Sequence, residues 1–220
     1  MKPRIAISLR SVTTEAYSEV RDAISRDWVE LLSDLNVLPI FIPNGINTPA
    51  ELMDATGISG VILSNGNDVG ADPVRDQTER AMVEYAIKKN LPVVGICRGL
   101  QFLNVYFGGS LIKSIKAQSP DEKHTGANHL VRIVDHKASK VFKLDEFQVN
   151  SYHDQGLTEK ELASELIAFA KSPEGIVEGA YHSKFPIYGV QWHPERKGPS
   201  AGQDKAMLID WLKLGQGVLK

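Results

Sequence analysis

The segment Gly95-Ile96-Cys97-Arg98-Gly99 permits very few backbones. Just upstream, Val93-Val94 lies between Pro92 and Gly95 and reads as the end of a fully buried strand. Downstream, Leu100, Leu103 and Phe107 recur at helical spacing, and Gly108 suits the stop. A strand that turns at once into a helix needs small residues two positions either side of the turning residue. It thrusts that residue's side chain out above the sheet edge. Here the turning residue is Cys97, the only cysteine in the chain. The pattern predicts a nucleophile elbow with a thiol at a helix N-terminus, where the helix dipole favours thiolate. The first helical amides, Arg98 foremost, lack intrahelical partners and can receive an oxyanion. Taken alone, the pattern also fits a small buried hydrophobe, so the rest of the chain must decide.

Around the elbow, strand-like and helix-like runs alternate. Residues 4–9, 37–42 and 60–63 read as strands. Residues 19–35 read as a helix, with Ile24, Trp28, Leu31, Leu32 and Leu35 on one stripe. Thr48-Pro49-Ala50-Glu51 reads as a capping box that starts a short helix, and residues 76–89 as an amphipathic helix. This alternation predicts an α/β fold with a mostly parallel central sheet and helices on both faces. Beyond the elbow the runs shorten, to 130–134, 147–149, 166–170, 177–180 and 187–190, which predicts a small antiparallel extension. A last helix is expected over 204–214, with Gly215 at its stop. A chain of 220 residues, 42% hydrophobic, suits one compact domain spanning 1–220.

Net charge is −2 and the pI about 6.3, which gives no attraction for nucleic acid or membrane. No apolar run approaches the ~20 residues of a membrane span, and the N-terminus has no signal-peptide pattern. A single cysteine forbids an internal disulfide and fits a cytoplasmic setting. The oligomeric state, monomer or homodimer, is left open.

In parallel sheets, sites lie beyond the carboxyl ends of the strands. Arg10, the loop at 64–70 and Cys97 all fall there. A reactive thiol needs a base, and the base an orienting partner. Of six histidines, His193 follows the run at 187–190, and Glu195 stands two residues on across Pro194. In extended backbone, residues two apart project to one side, so Glu195 can hold the imidazole toward Cys97. Gly66, between Asn65 and Asn67, is the candidate for a second oxyanion donor. The polar run Asn150-Ser151-Tyr152-His153-Asp154 lacks zinc-ligand spacing, and no metal or organic cofactor is expected. His124, His129, His136 and His182 are given no role.

The elbow segment and Gly189-Val190-Gln191-Trp192-His193-Pro194-Glu195 together resemble the class I glutamine amidotransferase superfamily. The segments at 97–101, 107–111, 149–156 and 172–178 are similar to its free-standing γ-glutamyl hydrolase branch, which includes γ-glutamyl-γ-aminobutyrate hydrolases. That resemblance implies Cys97 as nucleophile, His193 as base, Glu195 as its orienter, and Gln101 with Asn150, Ser151, Tyr152 and His153 holding the glutamyl head. Ser8-Leu9-Arg10 and the segment 21–35 are more similar to hydrolases of a γ-glutamyl-CDP-amidate. The expected activity is hydrolysis of a small γ-glutamyl amide through a γ-glutamyl thioester. The rival reading is a glutaminase subunit feeding ammonia to a separate synthase. Arg10 and Arg98 are both expected to border the pocket, where Arg10 would bind an anion on the leaving side.

Overall fold

The apolar runs flanking the elbow become neighbouring strands in the computed structural model, which describes residues 2–118 and 125–212. The first half contains β1 (Arg4–Ser8), β2 (Arg10–Thr13), β3 (Val20–Ala23), α1 (Arg26–Asp34), β4 (Leu38–Ile42), α2 (Pro49–Thr56), β5 (Gly60–Leu63), α3 (Pro73–Lys89), β6 (Val93–Ile96) and α4 (Arg98–Tyr106). The second half contains α5 (Ile115–Gln118), β7 (Thr125–Ile133), α6 (His136–Phe142), β8 (Glu146–Tyr152), β9 (Leu166–Lys171), β10 (Val177–His182), β11 (Ile187–Val190) and α7 (Ala201–Leu212).

Nine strands form one sheet in the order β4-β1-β5-β6-β11-β10-β9-β7-β8. The five from β4 to β11 run parallel, and β10, β9, β7 and β8 continue antiparallel. The antiparallel extension is therefore real, and with four strands it is nearly half of the sheet. Strand period two divides the core into two layers. Ile5, Ile7, Ile62, Val94 and Ile96 face Trp28 and Leu32 of α1 and Met207, Leu208 and Trp211 of α7. Ala6, Val61, Leu63 and Val93 face Met53 of α2, Met82 and Val83 of α3, and Phe102 and Leu103 of α4. Burial on both faces is why these strands read as continuous apolar runs.

Three expectations for the first half of the chain are corrected. The helix predicted over 19–35 begins only at Arg26, capped by Ser25, whose hydroxyl accepts from the Asp27 amide. Residues 20–23 instead pair with 10–13 in a separate antiparallel hairpin. Side chains hold that hairpin. Ser11 exchanges bonds of 3.0 and 2.9 Å with the Asn67 amide and also bonds Asp72, while Asp22 accepts from the Asn44 backbone and side chain. The capping box at Thr48 does not form. Helix α2 starts there without a side-chain cap bond and relies on Pro49 at its first position. Helix α3 starts three residues earlier than expected, because Asp72 caps it by accepting from Val74 and Arg75. The predicted stop at Leu214 and Gly215 lies outside the described residues. Among the described residues no helix is long and apolar enough to cross a membrane.

Candidate active site

At the carboxyl end of β6 the chain turns through Cys97 with φ 53° and ψ −103°, a sparsely populated conformation for a residue with a side chain. Strain of this kind costs about 1–3 kcal/mol and needs support from its surroundings. The Cys97 amide donates to Val190 O at 2.7 Å, and its carbonyl accepts from Gln101 at 3.2 Å. The two flanking glycines are required by space. A Cβ on Gly95 would collide with the Gly99 backbone, and one on Gly99 with the Leu63 carbonyl. The elbow is thus folded tightly on itself and pressed against β5.

Strand β11 delivers His193. Asn150, at the end of β8, clamps its backbone through two bonds of 2.9 Å, one to the His193 amide and one to its carbonyl. The preceding Trp192 donates to Asp204 at 2.7 Å, and burial pushes that carboxyl up to about 6 against the hydrogen bonds from Ser200 and Trp192. His193 Nδ1 lies 2.8 Å from Glu195 Oε1 and 3.4 Å from the Asn65 amide nitrogen. The shorter contact, to a carboxylate, keeps the proton on Nδ1 and has it donate to Glu195, which leaves Asn65 as a packing neighbour. Asn65 itself accepts from Trp28 Nε1 at 3.0 Å. Burial pulls the His193 imidazole down, but its interactions with Cys97 and Glu195 outweigh this and raise it to about 9. That shift favours the protonated ring. Its buried Nε2 makes no aligned hydrogen bond within the described residues.

Gln191 aims its side-chain N–H at Cys97 Sγ from 3.5 Å, and its own carbonyl oxygen accepts from Gln101 at 3.3 Å. Gln101 also donates to the Gln155 carbonyl at 3.0 Å, so its amide acts on the sulfur through Gln191. Gly66 sits at φ 129°, where a Cβ would lie 2.7 Å from Arg10 Cβ and 2.8 Å from Arg75 Nη1. The backbone amides of Gly66 and Arg98 meet no acceptor among the described residues.

A cavity of about 260 Å³ is lined by the buried Cys97 and His193 together with Asn65, Gly66, Asn67, Tyr152, Arg10 and Arg196. The structure thus brings together Cys97, His193, Glu195, Gly66, Tyr152 and Arg10. Asn150 and Gln101 stand beside them with their amides engaged by protein groups. Ser151 is fully buried. His153, also buried, bonds the Gln155 carbonyl through Nδ1 at 2.9 Å and places Nε2 3.7 Å from Glu178. Glu178 in turn lies 3.3 Å from His129, a pairing that the alternating residues of the strands did not reveal.

One expectation is overturned. The Arg98 guanidinium does not border the cavity. It is buried against Phe102 and bonded to Glu79 and Asp76 of α3. Its place is taken by Arg196, three residues past His193. Arg196 carried no motif, and only its position beside the His-Pro-Glu segment could have flagged it.

The family model described as Peptidase C26 matches residues 3–195. The chain belongs to the Peptidase C26 family. It is an amide-bond hydrolase of the class I glutamine amidotransferase type. It is 26% identical over 221 residues to the γ-glutamyl-CDP-amidate hydrolase of Campylobacter jejuni, covering 96% of this chain and 98% of that protein. It is 31% identical over 186 residues to the γ-glutamyl-γ-aminobutyrate hydrolase PuuD of Escherichia coli K12, covering 72% of each. A solved glutamine amidotransferase from Thermotoga maritima superposes with a TM-score of 0.65 at 18% identity, covering 94% of this chain and 81% of that one, a likeness of fold alone.

Proposed function

We propose that this Peptidase C26 chain hydrolyses a small γ-glutamyl amide through Cys97, His193 and Glu195. The carrying observation is the Glu195–His193 pair set beside a strained, glycine-flanked Cys97 in one cavity. The Cys97 thiolate attacks the γ-carbonyl carbon, and the amides of Gly66 and Arg98 receive the oxyanion. As the intermediate collapses, the C–N bond breaks and the His193 imidazolium gives its proton to the departing amine. A γ-glutamyl thioester remains on Cys97. Neutral His193 then takes a proton from water, the hydroxide attacks the thioester, and the C–S bond breaks to release glutamate and restore the thiolate–imidazolium pair. Glu195 holds Nδ1–H and stabilises the imidazolium throughout. The two relatives whose names specify γ-glutamyl substrates, together spanning most of this chain, support that substrate class.

Incubating the purified chain alone with a panel of γ-glutamyl amides should release glutamate. Cys97→Ala should abolish turnover with an unchanged melting temperature, and a slow substrate should leave a glutamyl adduct on wild-type Cys97 by mass spectrometry. Full activity in Cys97→Ala would overturn the mechanism. Activity that appears only with an added synthase would favour the glutaminase-subunit reading.

A further inference from the structure

We infer that Gln191 is a further catalytic residue, whose side-chain N–H donates to the Cys97 sulfur and stabilises it as the thiolate. This rests on the hydrolase reading above in taking that sulfur as the nucleophile. Gln191 follows β11 and stands two residues before His193. Its backbone is held on both sides. The Gln191 backbone amide donates to Glu178 O at 2.8 Å, and the carbonyl of the preceding Val190 accepts from the Cys97 amide at 2.7 Å. The side chain is fully buried, with Nε2 3.5 Å from Sγ.

Such an amide helps the sulfur only if its nitrogen, and not its oxygen, faces it. The neighbours decide which does. The backbone carbonyl of Gln155 can only accept. It takes the His153 Nδ1–H at 2.9 Å and an N–H of Gln101 Nε2 at 3.0 Å. That turns the NH2 group of Gln101 toward Gln155, and the same Nε2 meets Gln191 Oε1 at 3.3 Å. A flipped Gln191 would set donor against donor at Gln101 and oxygen against an electron-rich sulfur. The donor aimed at Cys97 is therefore fixed from a backbone carbonyl through two side chains. Gln101 is the positioning residue for Gln191.

A donor so held favours one protonation state of the sulfur. A thiol is a weak acceptor, whereas hydrogen bonds to an ionised group are roughly twice as strong as neutral ones. Gln191 and Cys97 are both buried, where a preset bond counts for more than it would in water. His193 supplies the counter-charge, and Gln191 adds a neutral donor that transfers no proton. The bond increases the share of the sulfur ready to attack at neutral pH. It also steadies the sulfur as it leaves the thioester.

Cys97 is the only cysteine in the chain, so alkylation by iodoacetamide reads this sulfur alone and needs no substrate. In Gln191→Leu the alkylation rate at pH 7 should fall about fivefold or more, because one bond to an ionised group is lost. The gap should narrow as pH is raised toward 10, where base forms the thiolate in either protein. Gln101→Met keeps Gln191 but frees its amide to turn, and should show a smaller loss with the same pH trend. His193, Arg10 and Arg196 line the same cavity and are unchanged in each variant, so the comparison isolates the amide. On a γ-glutamyl amide, kcat/KM of Gln191→Leu should fall by at least the alkylation factor. Equal alkylation of wild type and Gln191→Leu at pH 7, a loss just as large at pH 10, or an unchanged kcat/KM would overturn the inference and leave the hydrolase reading standing. If wild type cleaves no γ-glutamyl amide, the hydrolase reading falls, and the alkylation profiles still decide whether Gln191 holds the thiolate. If circular dichroism shows that Gln191→Leu does not fold, Gln101→Met decides. A loss at pH 7 that closes at high pH sustains the inference, and a wild-type rate or a loss independent of pH overturns it.

Discussion

Arginines stand on both sides of the elbow, and the two groups differ in how far their donors are already met. Behind it, Arg75 is fully buried in α3 and bonds Glu79 at 3.0 Å, Ser64 O at 2.8 Å and Asn65 O at 3.1 Å. Glu79 accepts in turn from Ser8 at 2.7 Å and from Arg98, which also bonds Asp76. This cluster ties the backbone leading to Gly66 to the first residue of α4, and so sets both proposed oxyanion donors in one frame. In front, Arg10 and Arg196 are solvent-accessible and largely unneutralised. A guanidinium with its partners inside the protein is part of the scaffold, whereas one without them is available to a ligand. Residue type and nearness to Cys97 in sequence do not separate the two cases.

The largest effect expected from breaking this contrast is in the rear cluster. Glu79→Ala leaves Arg75 and Arg98 buried without a shared carboxylate. Removing one partner of a buried pair costs about 3–5 kcal/mol. Chemical denaturation should show a loss of that size, and activity should fall as residues 64–66 lose their anchor. A loss under about 1 kcal/mol would mean that the cluster does not hold the frame.

The next effect lies between the two groups, at Glu195. In Glu195→Gln the amide can still bond the ring but cannot stabilise the imidazolium, so kcat should drop about 10²–10⁴-fold. His193 is raised to about 9 partly through Glu195, so the alkaline limb of kcat/KM should move to lower pH in the variant. The same proton is linked to stability. A histidine raised from 6.5 to about 9 on folding contributes fully below about pH 6.5 and loses that contribution as pH rises through about 9. Wild type should therefore lose stability across that window, and Glu195→Gln should lose less. An unmoved alkaline limb with unchanged kcat would assign Glu195 a structural role.

The inner strands of the parallel half of the sheet were legible because they are buried on both faces and contain almost nothing but apolar residues, as in Gly60–Leu63 and Val93–Ile96. The hairpin at 10–13 and 20–23 was not. Its Arg-Ser-Val-Thr and Val-Arg-Asp-Ala strands are mostly exposed and show no clean alternation, and Asn67, Asp72 and Asn44 hold them from distant parts of the chain. The helical stripe of Trp28, Leu31 and Leu32 was correct where α1 exists, but Ile24 extended it too far back. The site divides in the same way. Cys97, His193 and Glu195 sit in contiguous motifs, each with a local backbone reason for its place. Asn65, Arg75 and Arg196 act through contacts that periodicity does not report. Arg98 was misplaced because its side chain points toward α3, away from the cavity.

The smallest expected effect sharpens the contrast most, because it compares the same residue type at two places. Arg98 is buried, and its guanidinium bonds Asp76 and Glu79, so Arg98→Met removes one of the two buried guanidiniums that pair with Glu79 and takes the guanidinium from the partly buried Asp76. By the reasoning applied to Glu79, it should cost about 3 kcal/mol or more. Arg10 is exposed and has no ionic partner among the described residues, so Arg10→Ala removes little beyond the stem packed over Gly66. Surface substitutions of that kind stay within about 0.5 kcal/mol. Urea midpoints for the two variants, measured beside wild type at one pH and salt concentration, should therefore separate widely, with Arg10→Ala close to wild type. A substantial loss in Arg10→Ala would show that the front guanidinium is also structural, and its availability to an anion would then have to be reconsidered. Similar small losses in both variants would remove the distinction between scaffold and receptor arginines altogether.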